Sequence, residues 1–283
     1  MTKSAMLRDY FGAKQLAKAV GAHDAMGAKL VEEAGFDAVW QSSFEVSASQ
    51  GLPDASLVTM TEFLTAASTI NRAIDIPVIA DCDTGFGGPL NVAFAVQEYE
   101  ARGIAAIAIE DKHFPKLNSF SDGSQALVSI DDFAAKLEAA KAAQHSADFV
   151  VIGRTETLIA GGSVTDALLR SHAYADAGAD AILIHSKSTS PTEVLEFASA
   201  WASRLPLIVV PTTYSTVTEA ELIAGGIDLV IYANQALRAS VKAVRDVLKQ
   251  LKAASCGYDV DHSLASMAQI FDLQGMPGKF VTS

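Results

Sequence analysis

Eight short apolar segments, spread over almost the whole length of the chain, limit the folds that this sequence can adopt. Most of them are continuous apolar runs, which is typical of strands buried on both faces of a parallel sheet. The stretches between them have helical amphipathic patterns, so the sequence predicts repeated parallel βα units. The eight segments lie at residues 18–24, 38–43, 76–83, 105–112, 149–156, 181–186, 205–213 and 228–234.

The intervening stretches carry the usual signals of helix termini. Asp131–Ala143 and Val164–Ala177 are two clear examples of predicted amphipathic helices. Four helices are predicted to end at a glycine just before a strand, because glycine readily adopts the left-handed conformation that closes a helix. These four junctions read EEAGFDAV, EARGIAAI, ADAGADAI and IAGGIDLV.

Eight strands with helices between them predict a (β/α)8 barrel, and a chain of 283 residues is long enough for one. A doubly wound open sheet is the alternative, but no GxGxxG or phosphate-loop motif follows the first strand. We predict a single barrel domain over residues 1–283, with a C-terminal helical segment over 237–283. That segment contains a long helix at Leu237–Ala254 and an apolar tail at Leu264–Leu273, which would pack on the barrel or on a neighbouring subunit.

Composition argues against several classes of partner. The formal net charge of −12 disfavours nucleic acid and anionic membrane surfaces, although a local cationic cavity could still bind a small anion. The two cysteines, Cys82 and Cys256, make no disulfide framework and lack metal-site spacing. The first residues contain no apolar signal segment, and no apolar run is long enough to span a bilayer. We expect a cytoplasmic protein without a membrane partner.

Polar or ionisable residues follow nearly every predicted strand. A single charge at a strand end is usually just solvated, but the carboxyl ends of barrel strands meet on one rim, where barrel enzymes have their active sites. The set therefore predicts one concave polar site. Its members are His23, Asp24, Gln41, Ser42, Ser43, Asp81, Asp83, Glu110, Asp111, Lys112, Arg154, Glu156, His185, Thr212, Thr213 and Asn234.

Three carboxylates in this set indicate a metal site. Asp81 and Asp83 are two residues apart and are predicted to share one face of a strand, and Glu110 ends the next strand. Such close carboxylates repel one another unless a cation lies among them. Oxygen ligands suit Mg²⁺ or Mn²⁺. Neutralisation by Lys112 and Arg154 is the alternative explanation.

Cationic or donor groups stand opposite these acids and indicate the charge of the substrate. Arg154, His185 and Lys116 could together hold an anion. A divalent metal next to such groups suits a substrate with several negative oxygens, such as a carboxylic or phosphate-bearing acid, and does not suit a neutral sugar.

Four motifs show a resemblance to a known superfamily. DCDTGFGG (81–88), EDKHFPKLNS (110–119), GRTETLIAG (153–161) and ILIHS (182–186) are similar to motifs of the isocitrate lyase and phosphoenolpyruvate mutase superfamily. The resemblance covers nearly the whole chain. Glu-Asp-Lys, five residues and then Asn-Ser looks like the phosphoenolpyruvate mutase signature, whereas the lyases carry a cysteine in this loop and this chain has none there.

The resemblance implies a Mg²⁺-dependent interconversion of phosphoenolpyruvate and phosphonopyruvate, in a homotetramer built as a dimer of dimers with exchanged C-terminal helices. Asp81 would bind the metal directly, with Asp83 and Glu110 acting through water. A loop carrying Lys116 and Asn118 would close over the substrate. The implied catalytic residues are Asp54, Lys116, Asn118, Arg154 and His185, and the implied substrate-binding residues are Trp40, Ser42, Ser43, Phe44, Ser119 and Phe120.

Some positions depart from the mutase pattern. Gln41 and Ser43 stand where the mutases have glycines, and FEVSASQGLPDASLVTM looks closer to phosphonopyruvate hydrolase, a sister enzyme that cleaves the same P–C bond with water. That hydrolase has Thr at the position of Asn118, which favours the mutase. The mutase is therefore the preferred hypothesis, and the hydrolase is the alternative. A C–C lyase acting on a 2-hydroxy diacid and a non-catalytic binding barrel are further alternatives.

Overall fold

The computed structural model describes residues 1–11, 13 and 15–276. Residues 277–283 of the predicted C-terminal segment lie outside the described residues. The chain divides into two compact units, Met1–Asn234 and Gln235–Ser283. The second unit begins two residues before the C-terminal segment that the sequence predicts.

The first unit is a closed barrel of eight parallel strands, in the order in which they occur along the chain. The barrel closes where β1 pairs with β8, with Ala19 opposite Ile231. The predicted (β/α)8 fold is confirmed. The strands are β1 (Ala17–Ala22), β2 (Ala38–Gln41), β3 (Val78–Asp81), β4 (Ala106–Glu110), β5 (Val150–Thr155), β6 (Ala181–Ile184), β7 (Leu207–Val209) and β8 (Leu229–Tyr232).

Most strands are shorter than the apolar segments that predict them, and one difference matters for the site. The segment 76–83 forms a strand only over Val78–Asp81. Asp83 lies beyond the strand in a left-handed conformation, with φ of 49°. The prediction that Asp81 and Asp83 share a strand face is therefore wrong, because side-chain alternation does not continue through a turn.

Helices connect the strands of the barrel, and the predicted helices are present within a residue or two. Gly35, Gly103, Gly178 and Gly226 each have positive φ after a helix, as the four junction sequences predict. The helices of the first unit are α1 (Lys3–Tyr10), α2 (Ala25–Glu33), α3 (Ser43–Ser49), α4 (Met60–Ala73), α5 (Pro89–Ala101), α6 (Ile130–Ala143), α7 (Val164–Asp176), α8 (Thr192–Trp201) and α9 (Glu219–Ala224).

Side chains alternate along the strands, and this alternation places polar and charged residues at one end of the barrel interior. Small and branched apolar side chains fill the interior, and the residue two positions later on the same face is polar at the carboxyl end. Four neighbouring segments follow this rule: Ile79 then Asp81, Ala108 then Glu110, Ile152 then Arg154, and Leu183 then His185.

The second unit contains the long helix α10 (Gln235–Ala253), a 3₁₀ helix (Gly257–Ser263) and α11 (Met267–Gln274). Both helices predicted for this segment are thus present. One side of α10 is apolar and exposed, with Val241, Val244, Leu248 and Leu251 at helical spacing. Helix exchange between subunits stays a prediction. Among the described residues, none of the helices combines the length and apolar character that crossing a membrane requires.

Candidate active site

A cavity of about 250 Å³ opens at the carboxyl ends of the barrel strands. Every residue predicted as catalytic or substrate-binding lines it, together with Asp81. The structure thus brings together segments that are far apart in the sequence. The lining residues are Trp40, Ser42, Ser43, Phe44, Asp54, Asp81, Lys116, Asn118, Ser119, Phe120, Arg154, His185, Val210, Thr212, Ala233 and Asn234.

The three predicted metal-binding acids lie at different depths. Asp81 lines the cavity, whereas Asp83 and Glu110 are buried and do not line it. The backbone N–H of Glu110 donates to the carbonyl oxygen of Asp83 at 2.8 Å, and the N–H of Asp83 faces Oδ1 of Asp81 at 3.3 Å. Local backbone contacts therefore hold the three acids together.

These acids fit a cation that takes few direct protein ligands. Within the described part of the chain, no three His, Cys, Asp or Glu side chains form a ready-made metal cluster. Oδ1 of Asp83 and Oε1 of Glu110 are nevertheless buried without a hydrogen bond, although Lys116 Nζ lies 3.2 Å from the former. Burial raises the pKa of Asp83, and it raises that of Glu110 to about 7. Crowded carboxylate oxygens that accept no hydrogen bond suit a hydrated Mg²⁺, which commonly keeps several waters.

The gate loop, residues 113–126, follows β4 and lies between the bridged residues Lys112 and Leu127. Lys116 Nζ donates to Oδ1 of Asp54 at 2.6 Å, and Asn118 Nδ2 donates to Oδ2 of Asp54 at 2.8 Å. Asp54 thus ties two residues of the gate loop to the loop after α3. Burial would lower the pKa of Lys116, but the nearby carboxylates outweigh it and keep the ammonium charged.

Glu156 is the hub of a buried network, although the sequence predicts it only as one of the polar residues at the strand ends. Its carboxylate accepts from Arg154 Nε at 2.6 Å and from Ser119 Oγ at 2.5 Å, and it pairs with Lys112 Nζ at 3.1 Å. Burial alone would raise its pKa, but Arg154, His185 and Lys112 hold the pKa well below the ordinary value. The ionised group joins the gate loop to the strand ends.

Asp111 accepts hydrogen bonds from the backbone of Glu156 and from two neighbouring hydroxyl groups. Its Oδ1 accepts the backbone N–H of Glu156 at 2.8 Å, and its Oδ2 accepts the Tyr174 hydroxyl at 2.6 Å and that of Thr155 at 3.2 Å. All four of these residues are buried. A carboxylate with this many donors restrains the backbone that carries Arg154 and Glu156.

His185 presents one ring nitrogen to the hub. Nδ1 lies 2.9 Å from both Glu156 Oε1 and Arg154 Nη2, so only one of these contacts can be a hydrogen bond at a time. Nε2 is buried and has no partner among the described residues. Burial lowers the pKa of His185, which keeps the ring neutral. Phe120 of the gate loop contacts the ring edge-on, with centroids 5.6 Å apart.

Several site residues had no assigned role from the sequence. Thr212 and Asn234 line the cavity and could be found as polar residues at strand ends. Val210 and Ala233 also line it, but nothing in the sequence distinguishes them from other apolar residues. They close the side of the cavity formed by the ends of the last two strands.

Comparison with known proteins shows the family of this chain. The family model of phosphoenolpyruvate phosphomutase matches residues 8–252. The chain belongs to this phosphoenolpyruvate phosphomutase family. The resemblance found in the motifs is therefore confirmed, and the protein is an enzyme of the phosphoenolpyruvate mutase and isocitrate lyase superfamily.

Relatives of this phosphomutase-family chain include a phosphonopyruvate hydrolase and a phosphoenolpyruvate phosphomutase. It is 46% identical over 277 residues to phosphonopyruvate hydrolase of Variovorax sp. (strain Pal2), covering 97% of this chain and 96% of the relative. It is 50% identical to the crystal structure of phosphoenolpyruvate phosphomutase from Streptomyces platensis subsp. rosaceus, with a TM-score of 0.95, covering 96% of this chain and 95% of the other.

A third comparison bears on the metal. The structure of phosphonopyruvate hydrolase in complex with oxalate and Mg²⁺ is 45% identical, with a TM-score of 0.92, and covers 97% of this chain and 95% of that one. A relative of nearly the same fold thus holds Mg²⁺ together with a small dicarboxylate.

Proposed function

We propose that this protein is a phosphoenolpyruvate mutase that interconverts phosphoenolpyruvate and phosphonopyruvate. In the direction from phosphonopyruvate, the P–C bond breaks and its electron pair remains on the enolate of pyruvate. The phosphoryl group then forms a bond with the enolate oxygen, so that no atom is gained or lost. A loose transition state of this kind needs positioning and positive charge more than a strong base.

Asp81 is the proposed direct ligand of Mg²⁺, with Asp83 and Glu110 holding its water molecules. When bound, the ion would supply positive charge next to the substrate oxygens. The buried oxygens Oδ1 of Asp83 and Oε1 of Glu110, which accept no hydrogen bond, support this assignment. The same arrangement would accept Mn²⁺, which prefers similar oxygen ligands.

The remaining charged groups of the cavity are proposed to bind the phosphoryl oxygens. Arg154 is held by Glu156 at 2.6 Å, and Lys116 by Asp54 at 2.6 Å, so both cations are preorganised. Nε2 of His185 would meet a phosphoryl oxygen, provided that this nitrogen carries the proton. Backbone N–H groups of Ser42, Ser43 and Phe44 would receive the carboxylate and the enolate oxygen.

The observation that carries the mutase proposal is the position of Asn118. Its amide lines the cavity and donates to Asp54, so it is placed by the gate loop next to the groups that would hold the phosphoryl group. An amide at this point can bind the migrating group without activating water. The gate loop also excludes water, which would otherwise trap the phosphoryl group. Ser119 and Phe120 complete that cover, and Trp40 forms part of the cavity wall.

Phosphonopyruvate hydrolase is the second candidate, favoured by the 46% identity to the Variovorax enzyme. In that reaction water attacks the phosphoryl group, and the products are pyruvate and inorganic phosphate. The two candidates need the same metal site and differ in whether water can reach the transferring group.

Phosphorus NMR of the purified protein with phosphonopyruvate and Mg²⁺ separates these reactions. Phosphoenolpyruvate as the first product supports the mutase. Inorganic phosphate and pyruvate without any phosphoenolpyruvate would replace the mutase by the hydrolase. Turnover of neither kind, combined with cleavage of a 2-hydroxy diacid, would instead support a C–C lyase, and no turnover of any of these substrates would support a binding barrel.

A further inference from the structure

The side chain of Ser43 contacts Asp81, one of the two acids that line the cavity. Ser43 is the first residue of α3, and its hydroxyl donates to Oδ2 of Asp81 at 2.8 Å. Ser43 is 1% exposed and Asp81 7% exposed, so this hydrogen bond is shielded from water. The resemblance implies that Ser43 binds substrate and that it stands where the mutases have a glycine, but it gives the hydroxyl no role toward Asp81.

The hydrogen bond completes the restraint of the Asp81 carboxylate. Oδ1 of Asp81 faces the backbone N–H of Asp83 at 3.3 Å, while Oδ2 accepts from Ser43. A carboxylate with a donor on each oxygen is held in one orientation and keeps a free lone pair on each oxygen for a cation. Hydrogen bonds of this kind orient metal ligands and stabilise their ionised form.

The cations of the site pair with other acids and do not orient the Asp81 carboxylate. Lys116 pairs with Asp54 and Asp83, and Arg154 pairs with Glu110 and Glu156. Among the described residues, none of the ion pairs reaches Asp81. Its charge is therefore available to an external cation, and the neutral hydroxyl of Ser43 orients the carboxylate without neutralising it.

We infer that Ser43 is a positioning residue whose hydroxyl orients the Asp81 carboxylate and thereby raises the affinity of this site for a divalent cation. The inference rests on the proposed function, because that function places Mg²⁺ at Asp81. A glycine at position 43 would leave the carboxylate held only by the backbone of Asp83.

Calorimetric titration of the substrate-free protein with Mg²⁺ tests this role without turnover. Ser43→Ala and Ser43→Gly should both raise the Kd for Mg²⁺ by about ten- to a hundredfold, since both lose the hydroxyl. Asp81→Ala should abolish binding. Ser49→Ala is the matched control, because Ser49 is also on α3 but its hydroxyl donates to the carbonyl oxygen of Val46 at 2.8 Å.

Thermal unfolding without metal shows whether each variant is folded. An unchanged Kd in both Ser43 variants, with binding intact in the parent protein, would overturn the inference while leaving the proposed reaction untouched. A parent protein that takes up no Mg²⁺ would overturn it as well. Whatever reaction the enzyme performs, excess Mg²⁺ should restore kcat in Ser43→Ala, a rescue that a general packing defect would not show.

Discussion

Among single residues, Asn118 separates the two proposed reactions most directly. It is the one residue of the gate loop whose side-chain amide both lines the cavity and bonds to Asp54, and both contacts depend on the conformation of that loop. Other residues of the site, such as Asp81 and Arg154, would be needed for either reaction. The two proposed reactions therefore differ in whether the Asn118 amide binds the phosphoryl group while water is kept away from it.

Asn118→Ala should nearly abolish the formation of phosphoenolpyruvate from phosphonopyruvate while the protein stays folded. The substitution removes a partly exposed side chain and its bond to Asp54, which affects stability far less than it affects the bound phosphoryl group. Steady-state kinetics and circular dichroism measure the two effects. A wild-type rate in this variant would contradict the assigned role.

Asn118→Thr is the more informative partner of that variant. The resemblance implies a Thr at this position in the hydrolase, so we expect a larger fraction of inorganic phosphate among the products. Ser124→Ala, at an exposed serine of the same loop, should leave the product ratio unchanged.

His185 predicts a pH dependence of stability. Burial lowers its pKa in the folded protein below the unfolded value of about 6.5. The contribution of the neutral His185 ring to the free energy of unfolding is therefore fully present above about pH 6.5. It is lost as the pH falls toward the folded pKa, because the unfolded chain binds a proton that the folded protein does not.

Urea unfolding of the parent protein and of His185→Asn measures this contribution. Between about pH 7.5 and pH 5.5 the free energy of unfolding of the parent should fall by up to about 1 kcal/mol more than that of the variant. His145→Asn is the control, since that side chain is 77% exposed. Equal losses in the parent and in His185→Asn would contradict a lowered pKa.

At the scale of elements, the gate loop is held from two sides by different segments. Asp54, after α3, receives Lys116 and Asn118, and Glu156, after β5, receives Ser119. Each side joins the loop to a part of the barrel that also contributes to the cavity. The conformation of the gate loop is thus coupled to the arrangement of charged groups that would bind the substrate.

Ser119→Ala should loosen the gate loop without unfolding the barrel. The variant loses the hydrogen bonds from Ser119 to Glu156 and from Lys112 to Ser119. Because the side chain of Lys116 is buried in the parent protein, we expect faster trypsin cleavage after Lys116 in the variant. Mass spectrometry of timed digests detects this cleavage.

The control for this experiment is Ser124→Ala, in the same loop. Cleavage after Lys116 at the parent rate in Ser119→Ala would show that the Asp54 contacts alone hold the loop. Unfolding curves should place any loss of global stability at about 1–3 kcal/mol or less, as for one buried polar contact.

At the scale of the whole molecule, a protein with a formal charge of −12 has a cavity lined by the two cations Lys116 and Arg154. The negative surface disfavours polyanions, whereas a small anion that reaches the cavity meets local positive charge. The apolar side of α10, with Val244 at 56% and Leu248 at 59% exposure, is the other large-scale feature. Such a surface usually marks a protein contact.

We predict that the protein is a tetramer in solution. Light scattering coupled to gel filtration should give four times the mass of one chain, and Leu248→Asp should lower it because a charge at an apolar contact is costly. Lys242→Ala, on the charged part of the same helix, should leave the mass unchanged. A parent protein that elutes with the mass of a single chain would contradict the prediction.

The sequence by itself determined the barrel and the identity of most cavity residues. Strand and helix periods are local properties, and alternation along a parallel strand places Asp81, Glu110, Arg154 and His185 on one rim once the barrel is known. The motifs could therefore predict which residues would meet. The resemblance added the gate loop, which no periodicity reveals.

Only the tertiary structure decided how these residues are connected. The bond from Lys116 to Asp54 spans 62 positions, and the hydrogen bond from Ser43 to Asp81 spans 38. Glu156 became a hub because four segments converge on it, and Asp83 left the strand face because the backbone turns there. Such contacts depend on side-chain directions after folding, which local patterns of polarity do not encode.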